Sequence, residues 1–431
     1  MFTSRRIATM GGDKFRDEYS LAFDGTNDYV AMDGFAINDV LAEDDAWAIG
    51  FWFKSSQSDV SSASEIIFSV NGSTYGNIIR IGNNANASGA HVNGGIFYDD
   101  GRISSPVCVT DADDPDDGTQ YTDGQWHQVV VTRPSGAGMQ NTEVYIDGKL
   151  QGYSWDTNDG TAHNSGQFHT DPQWGNGEFL SIGQEWDSGP ANTDFFVGNV
   201  SEVFIYNKHM TQSQVKTIYN GREPYNHKEG IASGNLKAWW RMGDGTFDSR
   251  SLRGLGAGHS DLQCITDEVT PTLGASLWDA GADVFTSGTY NWSAYGNNTI
   301  ENDSNTLKVT YVDNSNGAVV DLKAGHDLSS DLTVGKVYKI KFDAKVNTGS
   351  VGFHASSGSG SDDLTWTVEN TSFQTHEGYF LCGHATNCYF RCRDFGSGEI
   401  AWIDNLSLQE VGGNAGVMQN MDIGDFEGDT P

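Results

Sequence analysis

The stretch DGQWHQVVVTR at residues 123–133, followed by TEVYIDGKLQGY at 142–153, decides the fold class of this chain. Trp126, Val129 and Val131 give the first stretch the apolar pattern of a strand turned toward a core. Asp147-Gly148 reads as a two-residue hairpin turn inside the second. His127 points away from Trp126 along an extended strand, and no nucleophile pattern adjoins it. It reads as a structural histidine.

Working outward, the period of two recurs. WAIGFWFKS (47–55) places Trp47, Ile49, Phe51 and Phe53 on one face. YSLAFDGTNDYVAM (19–32), EIIFSV (65–70), NIIRIGN (77–83), GGIFYDD (94–100) and EFLSIGQEW (178–186) are further strand signals. The run FFVGNVSEVFIYNKHMTQSQVKTIYNG (195–221) holds the best helix. Thr211 and Gln214 have capping-box spacing, Val215, Ile218 and Tyr219 share a helical face, and Asn220-Gly221 stops it. The helix is expected to plug one end of a sandwich. A second alternating group runs from Leu277 to Leu408, with strands in KVYKIKFDAKV (336–346), LTWTVE (364–369), NCYFRCR (387–393) and EIAWIDNLSLQEV (399–411).

The expected architecture is all-β, with two antiparallel β-sandwich (jelly-roll) domains in tandem. Residues 1–18 form an N-terminal arm, 19–221 the first sandwich, and 222–275 a connecting segment containing LKAWWRMGDG (236–245). Residues 276–411 form the second sandwich, and 412–431 an acidic tail with little strand signal. The 431 residues suit two or three domains at roughly 100–200 residues each. The 53 glycines and 12% aromatic content suit short strands joined by tight turns.

With 25 Lys+Arg against 58 Asp+Glu, the formal net charge is -33. So negative a surface repels phosphate backbones and anionic membrane surfaces, and neither is an expected partner. The opening MFTSRRIATMGGDK carries two arginines without an apolar run after them, so no secretory signal is expected there. No stretch is long and apolar enough to span a bilayer.

Cysteines at 108, 264, 382, 388 and 392 are too few, and odd in number, for a disulfide scaffold. Cys388, Phe390 and Cys392 alternate along one strand face. Cys388 and Cys392 are about 13 Å apart at ~3.3 Å per residue, too far to bridge. Cys382 and Cys388 flank a five-residue loop and can meet across a hairpin as a disulfide. A metal site combining cysteines with His376 and His384 lacks paired ligand spacing.

Three segments, DGQWHQVVVTR, VYIDGKL and GNVSEVFIYNKHMTQSQVKTIYN, resemble in order the laminin-G-like branch of the concanavalin A-like jelly rolls. The resemblance covers about 200 residues. Glycan-cleaving members of that superfamily carry a Glu-x-Asp-x-x-Glu strand, whose same-face carboxyls suit retaining chemistry. This chain lacks that motif, so no catalytic residue and no enzyme activity are expected.

The second domain resembles β-jelly-roll carbohydrate-binding modules through Trp278–Trp292 and AWIDNLSL (401–408). That resemblance implies a structural calcium at Asp404, with Asp283 or Asp279 where the family usually has glutamate. The alternative is an Asx-type turn at Asp404 capping the closing strand. The domain order, with WWRMGDG between and GVMQNMDIGDFEGDTP at the end, resembles structural proteins of marine tailed bacteriophages.

These resemblances imply a non-catalytic virion protein, a tail-fibre or capsid appendage touching host glycans or neighbouring virion subunits. A homo-oligomer is expected, with a trimer as the guess. The alternatives are a secreted or cell-surface adhesin, a pure scaffold, and a polysaccharide-degrading enzyme. Sugar binding needs aromatic faces for stacking and polar groups for hydroxyls. Trp155, Trp174 and Trp186 in polar loops, and Trp292, Tyr295 and Trp366 in the second domain, are the candidates. Trp52 and Trp126 are assigned to the core.

Overall fold

The computed structural model describes residues 15–32, 41, 46–56, 65–70, 77–85, 91–99, 107–110, 121–135, 141–154, 180–186, 192–246, 248, 263–356, 364–419, 421 and 423–431. The protein is all-β, built from antiparallel sheets packed as sandwiches.

In the first sheet the order is Lys149–Leu150, Glu143–Ile146, Trp126–Arg133, Trp47–Lys54, Val197–Tyr206, Ser20–Asp24 and Phe426–Glu427, with Leu236–Trp240 also pairing Val197–Tyr206. The second sheet runs Gly152–Ser154, Val107–Thr110, His91–Asp99, Asn77–Ala85, Glu65–Val70, Leu180–Ile182, Tyr29–Met32, Gly416–Gln419 and Gln263–Ile265. Alternate side chains of the two meet in one core, including Ile49, Phe51, Val129 and Val200 from the first sheet and Val30, Phe68, Leu180 and Met418 from the second. Asp147 and Gly148 both take positive φ, 50° and 73°, and join Ile146 to Lys149 as the Asp-Gly hairpin requires.

Gln212–Tyr219 is the α-helix among the described residues. Its capping box is formed, with Thr211 Oγ1 accepting from Gln214 N and Thr211 N donating to Gln214 Oε1. It does not plug an end of the sandwich. Val215 and Ile218 pack with Ala48, Val130, Tyr145 and Phe204 on the outward face of the first sheet, and Tyr219 stacks on Trp52. Covering that face buries residues of both parities along Trp126–Arg133. Trp126 therefore shares the helix side with Gln128 and Val130, while His127 shares the inner side with Val129 and Val131.

Two sandwiches follow one another as expected, and the strand pairings add the segments on either side of the second one to the first. The segment expected to be a tail returns to the first sandwich. Gly416–Gln419 sits between Tyr29–Met32 and Gln263–Ile265, and Phe426–Glu427 pairs with Ser20–Asp24. The segment expected to connect supplies Leu236–Trp240 and Gln263–Ile265 to the same two sheets. In WWRMGDG, Arg241 donates to Glu202 and to the Arg16 carbonyl, and Asp244 accepts from Glu18 N and Tyr19 N, anchoring the chain near its start. Trp240 Nε1 donates to the Asn414 carbonyl. The second sandwich is thus an insertion, entered and left side by side at an isolated antiparallel bridge between Leu273 and Val411.

That insertion has two sheets of its own. One runs Ser293–Ala294, Ala318–Asp321, Tyr389–Arg393, Val351–Ser356 and Leu364–Val368; the other runs Thr299–Asn302, Leu307–Thr310, Ile400–Glu410, Val337–Val346 and Gln374–Leu381. Their core includes Trp278, Trp292, Phe342, Phe353, Trp366, Phe390 and Leu408. Where the insertion meets the first sandwich, Val337, Tyr379 and Val411 pack with Val417.

Candidate carbohydrate-binding surface

The insertion's second sheet shows its inward and outward faces plainly. Along Val337–Val346, Ile340, Phe342, Ala344 and Val346 point into the core, so Lys339, Lys341, Asp343 and Lys345 point outward. Along Ile400–Glu410, Ala401 and Ile403 point inward and Trp402 outward. A register shift near Asp404, with Asn405 at a φ of 51°, lets Leu406 and Leu408 turn back to the core.

Trp402 lies opposite Lys345 on one side and Lys308 on the other. The Lys345 ammonium sits 4.9 Å from the Trp402 ring centre and 4.7 Å from that of Phe373. Phe373, just before Gln374–Leu381, is 38% exposed, unusual for so large an apolar side chain. Trp402 Nε1 donates to Asp303 Oδ2 at 2.9 Å, which fixes the indole plane. That hydrogen bond, with Lys308 and Lys345 nearby, holds the Asp303 carboxyl below its ordinary pKa. Beside this aromatic end, Asp343 accepts from Thr375 Oγ1 at 2.6 Å and Asn405 Nδ2 at 2.7 Å. Lys308 pairs with Glu301 and Lys339 with Glu377. The surface therefore combines two partly exposed rings with fixed carboxylates, amides and ammonium groups.

Two of the tryptophans expected to bind sugar fall in the core of the inserted sandwich. Trp292 is 4% exposed and Trp366 2%. Both are core residues, so no sugar can reach either ring face: Trp292 packs edge-on to Phe390, and Trp366 edge-on to Phe342. Trp155 and Trp174 lie outside the described residues. Trp186 pairs through its backbone with Asn192, and its side chain is likewise outside them. Trp402 was visible in AWIDNLSL, where its parity opposite Ala401 and Ile403 marks it as outward; that was the usable signal.

Of the expected calcium ligands, Asp404 and Asp283 lie near each other. Burial first, then repulsion from Asp343 and Asp283, pushes the Asp404 carboxyl above its ordinary pKa. Asp404 Oδ1 accepts from Asn405 N, as an Asx-type cap would. Asp283 Oδ1 accepts from Gly281 N, and its carbonyl accepts from Leu406 N. Asp279 instead stands beside Asp327. Among the described residues no three His, Cys, Asp or Glu side chains are grouped to hold a metal ion. His384 is occupied by Thr386 N and Asn387, and His376 stacks on Phe342, so the cysteine–histidine metal site does not form from these groups.

His127 is held between two carboxylates, Nδ1 at 2.9 Å from Asp147 Oδ2 and Nε2 at 3.1 Å from Asp123 Oδ1. Burial opposes its charge, but Asp147 and Asp123 outweigh burial and raise its pKa. Asp147 also accepts from Gln128 N, so the histidine ties the hairpin turn to the neighbouring strand. Among the described residues both ring nitrogens face carboxylates, an arrangement that holds the turn.

The fold is that of an all-β protein of jelly-roll sandwiches, concanavalin A-like in the first of them. Residues 24–216 match the Laminin_G_3 family model, described as the concanavalin A-like lectin/glucanases superfamily. Among solved structures, the chain is similar to the native heptameric SAP-like pentraxin of Limulus polyphemus, at 18% identity over 47% of this chain and 82% of that one, with a TM-score of 0.32. It is also similar to the CBM22-1 xylan-binding domain of Paenibacillus barcinonensis Xyn10C, at 12% identity over 33% and 97% of the two chains, with a TM-score of 0.25. A candidate carbohydrate-binding protein of Bacteroides ovatus is 15% identical over 59% of this chain and 56% of its own, with a TM-score of 0.37. No curated protein matches the sequence.

Proposed function

We propose that this chain is a non-catalytic glycan-binding protein whose contact surface is the Trp402–Lys345–Phe373 face of the inserted sandwich. The observation that carries the proposal is the Trp402 indole, held edge-on by Asp303 on an outward sheet face beside the exposed Phe373 ring. A pyranose offers an apolar C–H face to such rings, and its hydroxyls suit the carboxylates and amides of Asp343, Asn405 and Thr375. The lectin/glucanase description of the family matched by residues 24–216 supports a carbohydrate role for the first sandwich, on the same chain as this face. Lys345 could instead merely shield the two rings with its aliphatic stem, which is an ordinary use of lysine. The exposed Phe373 and the anchored indole favour a contact surface.

We include in the proposal a setting on a virus particle, as a tail or capsid appendage among other virion proteins, supported by the resemblance in domain order. A secreted or cell-surface adhesin would use the same face. Proteomics of purified particles separates the two settings, and detection only in a host secretome would favour the adhesin.

The binding test is retention on a panel of immobilised polysaccharides. Trp402→Ala and Phe373→Ala are each expected to weaken the retained interaction at least about tenfold, roughly 1.4 kcal/mol. Asp303→Asn should weaken it less, by loosening the indole. Undiminished binding by Trp402→Ala, or no glycan retained by the native protein, overturns the assignment. No polysaccharide should release reducing ends.

A further inference from the structure

We propose that Cys382 and Cys388 are an oxidisable thiol pair that forms a disulfide clasp between the two sheets of the inserted sandwich. Their sulfurs are 4.0 Å apart and not bonded, so the disulfide expected from sequence is not formed here. Both side chains are buried, at 0% and 1% exposure, and both sulfurs face the His384 carbonyl.

Their placement gives the bond a structural consequence. Cys382 follows Gln374–Leu381, an edge strand of one sheet, and exchanges backbone hydrogen bonds with Lys336 and Gly335. The Cys388 carbonyl accepts from Leu322 N, beside Ala318–Asp321 of the opposite sheet, and Cys388 leads into Tyr389–Arg393 of that sheet. Closing the pair would therefore link the sheets covalently at the crossover and close the exposed 383–387 loop into a small ring. The sulfurs must move about 2 Å closer to reach bonding distance. The loop between them can supply that movement without disturbing either ladder.

Oxidation by a small-molecule disulfide balances in two exchanges. The Cys382 thiolate attacks one sulfur of the oxidant and releases the first small thiol. Cys388 loses its proton to solvent and attacks the mixed disulfide at Cys382, releasing the second. The pair gives up two electrons and two protons, and the oxidant becomes two thiols. The Cys388 sulfur holds the Cys382 thiol below its ordinary pKa, in keeping with Cys382 attacking first. Cys392 shares the core but faces the Ala318 carbonyl, and burial pushes its thiol up to about 12. It is a poor competitor.

The test uses the full chain in oxidised glutathione, followed by acid quench, denaturation and alkylation. Of the five cysteines, three should take label and peptide mapping should join 382 to 388. Reduction should restore all five. Cys392→Ser should keep the link, and Cys388→Ser should abolish it. Because the native thiols are buried, the same labelling is repeated on protein refolded in the redox buffer. Five labels in both preparations, or a link mapped to Cys108, Cys264 or Cys392, overturns the proposal.

Discussion

At the scale of single residues, this acidic chain spends its carboxylates on holding backbone. Asp248 accepts from Gly243 N, Gly245 N and Thr266 N; Asp267 accepts from Trp239 N, Val269 N and Asn414. His127 is the basic counterpart, clamped by Asp123 and Asp147. Its pKa is raised in the folded state, so its stabilising contribution has a definite pH window. The contribution is complete below the unfolded histidine value of about 6.5 and fades as pH rises through the higher folded value. His127→Gln should lower the urea midpoint most near pH 6 and least near pH 9. The difference between native and variant, rather than either curve alone, removes the background titration of the other acidic groups. A difference that is constant across this range would show that the histidine acts by packing alone.

At the scale of elements, the helix and the Asp-Gly hairpin are legible locally, and what depends on distant partners is not. The helix was legible because its capping box, apolar stripe and Asn-Gly stop lie within a dozen residues. Its destination was not, because the residues it covers, Ala48, Val130, Tyr145 and Phe204, come from separate strands. Trp292 and Trp366 look half-exposed from their polar neighbours in the sequence, whereas their burial is settled only by the opposite sheet. Trp402 was within reach of parity alone. The helix also carries a prediction. Thr211→Ala removes the bond that Thr211 Oγ1 accepts from Gln214 N, keeps the one that the residue-211 backbone N–H donates to Gln214 Oε1, and should cost about 1 kcal/mol. If the cap acts by docking the helix on the first sheet, the variant should also quench Trp52 fluorescence differently, because Tyr219 stacks on that ring. A lower denaturant midpoint with an unchanged emission spectrum would confine the effect to the helix end.

At the scale of the whole molecule, the chain is nested rather than sequential, because the first sandwich begins before the inserted one and is finished after it. Gly416–Gln419 reads weakly as a strand because it is four residues long and includes a glycine, and its two partners lie far back in the sequence, Tyr29–Met32 and Gln263–Ile265. Yet Val417, Met418, Met421 and Phe426 are at most 2% exposed. At roughly 1.5–3 kcal/mol for each buried side chain of this kind, losing the four would remove an amount comparable with the whole 5–15 kcal/mol stability of a typical domain. A chain ending at residue 275 should therefore fail to fold as the first sandwich, even though it contains the complete 24–216 family match. The opposite cut should be tolerated. Thr272 accepts from Gly412 N, Gly274 N donates to Glu410, and Leu273 bridges Val411, so entry and exit of the insertion lie side by side. Joining residue 274 to residue 411 through a short glycine linker removes the inserted sandwich and keeps every strand of the first two sheets. That excised protein should unfold in one cooperative transition, while the truncated one should show none. Cooperative unfolding of the truncated chain with a midpoint equal to that of the excised protein would mean that the returning segment is dispensable, and the nested reading would fall.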